Sequence, residues 1–158
     1  MRNGRQAIKH CEVSQIFFSE THVVTADQTV PTLFRSLPHG KRYADRMIKA
    51  MATGYLVAVL ESICVREMQM YLDHDEETVV GSAMQFRHRA PIPPGAIVKV
   101  DGWVTGIGED EATFWVQASD EQELVCEGHI RLVVVNRSQI EMKIQRKCEA
   151  IERREVAA

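Results

Sequence analysis

Hydrophobic and polar positions along the chain fall into two regimes that meet near Asp75. Ahead of it, one segment is apolar on nearly every side; beyond it, apolar and polar residues alternate. The stretch "ATGYLVAVLESICV", residues 52–65, belongs to the first regime, and all of its residues but Glu61 are apolar, small or hydroxylated. From Thr53 to Leu72 alanine, leucine and methionine recur without a proline, which predicts a helix. Its first three turns are apolar nearly all round, the pattern of a helix enclosed by protein. Charge returns only toward "REMQMYLDHD", so that end is expected to reach solvent.

The second regime predicts strands. "TVVGSAMQFRHR", "AIVKVDGWVTGI", "EATFWVQASD" and "ELVCEGHIRLVVV" are rich in β-branched and aromatic residues and are joined by turn-forming stretches such as "APIPPG" and "GIGED". Strict alternation would place Val80, Ser82, Met84, Phe86 and His88 on one face, with Arg87 and Arg89 on the other. Likewise Leu124, Cys126, Ile130, Leu132 and Val134 share a face, opposite Glu127, His129 and Arg131. Ahead of the helix, "QIFFSETHVV" predicts one more strand. The proline-containing "TADQTVPTLFRSLPHGKRYADRM" predicts irregular cover with a short helical turn. The chain closes with "RSQIEMKIQRKCEAIERRE", a charged helix carrying a narrow apolar stripe of Ile140, Ile144, Cys148 and Ile151, expected to dock on the sheet or on a partner.

This order predicts an α+β fold of hot-dog type: a long antiparallel sheet curled around one central helix, with an added C-terminal helix. The expected boundaries are a flexible N-terminus over 1–14, the hot-dog domain over 15–136 and the amphipathic helix over 137–158. A dimer joining two sheets edge to edge would cover the exposed strand edges.

Composition narrows the function more than the fold. A net charge of −3 excludes the strong basic excess of a nucleic-acid-binding surface. Four scattered cysteines without a Cys-x-x-Cys pair, and no secretory signal, predict a cytoplasmic protein. The apolar run from Ala52 to Leu60 is too short to span a bilayer. No phosphate-binding loop, dinucleotide fingerprint or zinc spacing occurs, so no metal or separate cofactor is expected.

Glu61 is the first candidate for chemistry. An ionised, unpaired carboxylate in a dry interior costs several kcal/mol, so it is paired, protonated or faces a cavity. A nearby arginine or backbone amides satisfying it would be the structural explanation; a catalytic carboxylate is the other. His88, on the face expected to meet the helix, is either a satisfied core histidine or a proton carrier. Thr53, followed by Gly54, is either a helix cap or a hydroxyl beside an amide-rich helix start able to hold an oxyanion. Together, hydroxyl, carboxylate and imidazole have the chemistry for acyl transfer.

"VTADQTV", "ATGYLVAVLESICVREMQMYL", "GSAMQFRHRAPIPPG" and "EGHIRLVVV" resemble the fluoroacetyl-CoA thioesterase group of hot-dog proteins, over roughly residues 20–136. The resemblance rests on Ala-Thr-Gly before the helix, Glu eight residues after Thr, and Gly seven residues before a strand His. It implies Thr53, Glu61 and His88 as the catalytic set, Gly81 and Arg131 as substrate contacts beside Gly54, and an acyl-CoA substrate that itself carries the coenzyme A. The phenylalanines that shield the pocket in the fluoroacetyl-specific member have no counterpart in "GKRYADRMIKAMA", where Tyr43 and Met47 are the bulky substitutes. The "DHDEET" loop is also one residue longer. The resemblance therefore carries the thioesterase chemistry and leaves the acyl group open. Lys41, Arg42, Arg46, Lys49, Arg87 and Arg89 are the basic residues available to CoA.

The competing reading is an acyl-CoA sensor without turnover on the same fold, which would need none of the three reactive side chains. A hot-dog hydratase would place a His five residues after an Asp, but Ala50 stands there after Asp45. The early Asp of the commonest small thioesterases is also missing.

Overall fold

The computed structural model describes residues 10–73 and 75–156. Much of the expected flexible N-terminus therefore lies outside the described residues. Within it, His10–Val13 form a single helical turn, α1, whose Val13 is buried. Then come β1 (Phe17–Val23), α2 (Val30–Ser36), α3 (Thr53–Gln69), β2 (Glu77–His88), β3 (Ile97–Ile107), β4 (Glu111–Ser119), β5 (Leu124–Asn136) and α4 (Arg137–Val156). The five strands form one antiparallel sheet in the order β1-β3-β4-β5-β2, leaving β1 and β2 at its edges. This is the expected hot-dog arrangement. Leu56, Leu60, Cys64 and Met68 recur every four residues on α3 and press into Phe114, Val116, Ile130 and Leu132 of the sheet.

The cover segment holds more helix than a single turn. Pro31 opens α2, where its fixed φ suits a first turn, and a 3-10 turn follows at Lys41–Arg46, pinned by the fully buried Ala44.

Three features differ from the sequence expectation. First, α3 is not enclosed: Thr53, Gly54, Ala58, Ser62 and Arg66 are exposed. One curved sheet covers only one side of a helix, so the other apolar flank stays open.

Second, β2 breaks its own alternation. Gly81 pairs with Leu132 and Ala83 with Arg131, so Ser82 is an extra residue, a β-bulge whose hydroxyl donates to the Arg131 carbonyl at 3.2 Å. Directly paired residues share a face, so Val79, Gly81, Met84, Phe86 and His88 point inward, opposite Val134, Leu132, Ile130, Gly128 and Cys126. Val80 and Ser82, expected inside, leave the inner row; Val80 lies opposite Val133 on the outer face.

Third, α4 does not dock on the sheet. Asn136 caps it, accepting the Gln139 N–H at 3.0 Å, but from Glu141 to Glu155 its residues are exposed. Ile144 and Ile151 are 56% and 54% open, so the stripe is uncovered within this chain. Truncation after Asn136 is expected to shift the oligomeric state, read by light scattering, and to change the melting temperature little. Unaltered assembly with lost turnover would instead put α4 in the active site.

Candidate active site

Ala52, in extended backbone, occupies the cap position of α3 and has no side-chain oxygen, so Thr53 is the first helical residue and its hydroxyl has no capping task. That hydroxyl lies 2.9 Å from Nδ1 of His88, the last residue of β2. The first helical bond runs from the Leu56 N–H to the Ala52 carbonyl at 3.0 Å. The amides of Thr53, Gly54 and Tyr55 precede it and have no helical acceptor, so the hydroxyl sits among amides able to receive negative charge. A Cβ on Gly54 would meet Leu33 of α2 at 3.5 Å, an ordinary contact, so packing within this chain does not demand glycine there.

His88 faces inward, and its other ring nitrogen, Nε2, is buried without a hydrogen-bond partner among the described residues. When the Thr53 hydroxyl donates to Nδ1, the ring proton sits on Nε2 and needs an acceptor. A buried donor left unmatched costs about 1–3 kcal/mol.

Glu61 lies two turns further along α3, half-buried. Among the described residues it makes no ion pair with an arginine and accepts no backbone amide. Its Oε1 is packed against Gly81: a Cβ on that glycine would overlap the carboxylate oxygen and come within 2.8 Å of Met84 Cε. The glycine gives the carboxylate its room. Met84, read from sequence as core, is 38% exposed beside this carboxylate.

The residues thus form two groups within one chain. Thr53 and His88 make one, Glu61 and Gly81 the other. They are separated by about 12 Å along the helix axis and by roughly 20 Å along the strand. Arg131 joins neither. Its neighbours Ile130 and Leu132 are fully buried, so its own side chain takes the outer face, where its Nε lies 3.9 Å from Glu111.

Cys64 and Cys126 offer no competing nucleophile. Burial, reinforced by Glu67, pushes the Cys64 thiol up to about 12, and burial pushes Cys126 up to about 11, so both stay protonated at neutral pH. Among the described residues no group of three or more His, Cys, Asp or Glu side chains is placed to hold a metal ion. No helix there is long and apolar enough to cross a membrane.

Comparison with known proteins bears on the family and the fold. The chain is 27% identical over 133 residues to a fluoroacetyl-CoA thioesterase of Streptantibioticus cattleyicolor, covering 84% of this chain and 92% of that protein. A solved structure of fluoroacetyl-CoA thioesterase superposes with a TM-score of 0.76 at 25% identity, covering 92% of this chain and 98% of the other. A thioesterase-superfamily protein of Thermus thermophilus shares the fold, with a TM-score of 0.73 at 22% identity over 96% and 98% of the two chains. The sequence model of one family, described as fluoroacetyl-CoA-specific thioesterase, matches residues 39–138, well over half of the chain. By that match, and with the fold to accompany it, the chain belongs to the fluoroacetyl-CoA-specific thioesterase family.

Proposed function

We propose that this protein is a cytoplasmic homodimer that hydrolyses a short or small-headed acyl-CoA thioester to the free acid and CoA. Acyl-CoA thioester hydrolysis follows from the family; the acyl size, the compartment, the assembly and the residue roles are the proposal. Thr53 is the nucleophile or orients the attacking water, His88 takes the proton through Nδ1, and the free amides at the start of α3 receive the charge on the carbonyl oxygen. Glu61 accepts from Nε2, holding the ring in the useful tautomer and stabilising its charged form.

The observation that carries this reading is the buried, unmatched His88 Nε2. Glu61 of the same chain is too far away to answer it. A second copy answers it by symmetry. β2 is an edge strand whose residues 80–85 are all exposed, a template for antiparallel pairing with itself. With Ser82 left out of the count, a two-fold axis at Gln85 pairs Met84 with Phe86 and lays Gly81 of one copy opposite His88 of the other, both on the inner face. Glu61 of one copy then approaches the Thr53–His88 pair of the other, and the open flank of α3 is covered.

The test is a hydrolysis screen across acyl-CoA chain lengths, with released thiol as the readout. Turnover concentrated on the shortest acyl groups supports the proposal. Binding of acyl-CoA without any turnover would support the sensor reading instead.

A further inference from the structure

We infer that the surface recess lined by Pro38, His39, Lys41 and Arg42, about 470 Å³ in volume, receives the phosphate groups of coenzyme A. The inference rests on the acyl-CoA reading above and adds where the far end of the substrate is held.

Six basic residues were candidates for this task, and the structure separates them. Arg87 lies next to the inward-facing His88 and so takes the outer face, paired in register with Glu127. Arg89 is bound by the Glu127 carboxylate through Nε at 3.0 Å. Arg46 and Lys49 do not line the recess. Lys41 and Arg42 do, and neither is in an ion pair among the described residues. The nearby carboxylate, Asp45, is taken by Arg35 at 2.6 Å. The turn therefore presents positive charge without its own counter-ion.

The turn is also a fixed base rather than a loose loop. Ala44 is fully buried beneath it, and Gly40 packs against Phe34 of α2, where a Cβ would sit 3.1 Å away. The Arg42 guanidinium lies 4.7 Å from the centre of the Tyr43 ring, which narrows the positions its planar fork can take. On its other side α2 reaches the catalytic end of α3, through Leu33 beside Gly54. The recess is thus one short helix away from the amide-rich start of α3. The pantetheine arm of CoA bridges such a gap between thioester and phosphates, and two unpaired cations at its far end match the phosphate dianion and diphosphate.

The experiment compares wild type with Lys41→Ala/Arg42→Ala. Both side chains are exposed, so the fold is expected to be kept, which circular dichroism checks. Steady-state kinetics use an acyl-CoA and the matching acyl-N-acetylcysteamine thioester, which lacks every phosphate. Calorimetry measures binding of adenosine 3′,5′-bisphosphate without any turnover. KM for the acyl-CoA is expected to rise roughly tenfold with kcat unchanged. The phosphate-free thioester should be hydrolysed as before, and bisphosphate binding should weaken by a similar factor and with added salt. Unchanged KM together with undiminished bisphosphate binding would overturn the inference and leave the hydrolase reading standing. A wild-type protein that never hydrolyses acyl-CoA but binds the bisphosphate through these two residues would defeat the hydrolase reading and keep the recess. Absence of bisphosphate binding to wild type defeats the recess outright.

Discussion

Inactive Thr53→Ala and Glu61→Ala proteins, unfolded and refolded together in equal amounts, are expected to recover about a quarter of wild-type turnover. The expectation comes from two lengths. Thr53 and Glu61 are separated by two turns of one continuous helix, about 12 Å along its axis, too far for both to serve a single carbonyl. Thr53 already has His88 at 2.9 Å, while Glu61 has Gly81 beside it. If each active site draws its Thr53–His88 pair from one copy and its Glu61 from the other, a mixed dimer gathers both lesions in one site and leaves the second intact. Random association makes half of the dimers mixed, and half of their sites work. A mixture that stays inactive, with dimers confirmed by light scattering, would place all three residues in a site built by one chain.

Replacing Glu61 with glutamine is expected to lower kcat by roughly two orders of magnitude or more, the scale of lost acid–base assistance. The substitution keeps the size of the side chain, so the space beside Gly81 stays filled and the fold should survive, which the melting temperature checks. What changes is the acceptor. In the proposed site a neutral amide could still take a hydrogen bond from Nε2 but would no longer stabilise the charged ring formed if His88 removes the Thr53 proton. The loss should therefore appear in kcat more than in KM. Full activity in the glutamine variant would remove Glu61 from the mechanism.

Much of this was legible in the sequence, and the residues show why the rest was not. The helix was visible in its apolar run and the strands in their alternation, because burial of one stripe or one face writes itself directly into residue spacing. Thr53, Glu61 and His88 each stood out as polar groups in apolar company. Their grouping did not, because the hydrogen bond between Thr53 and His88 joins residues 35 positions apart and depends on how a strand end meets a helix start. Ala52 as the cap, which frees the threonine hydroxyl, was equally invisible, since Thr is itself a common cap. For Arg131, alternation and resemblance pointed in different directions: parity put it on the outer face and resemblance put it against substrate. Its side chain follows parity in this chain. The open flank of α3 could not be told from a buried one, because small and apolar residues are written the same way whether or not the chain's own sheet covers them.

The bulge at Ser82 has a consequence for how such sequences tolerate change in length. Gly81 and His88 are seven positions apart, an odd interval that in a regular strand would turn them to opposite sides. They share the inner side only because one residue between them is left out of the count by the pairing. The interval itself is therefore a record of the bulge, legible wherever a glycine and a histidine keep that odd distance. It also makes this short stretch of β2 sensitive to the parity of any insertion, in a way its exposure would not reveal. Losing Ser82 would leave an even interval of six and an ordinary edge strand that still faces both residues inward, whereas one inserted residue would turn either the glycine away from Glu61 or the imidazole away from Thr53.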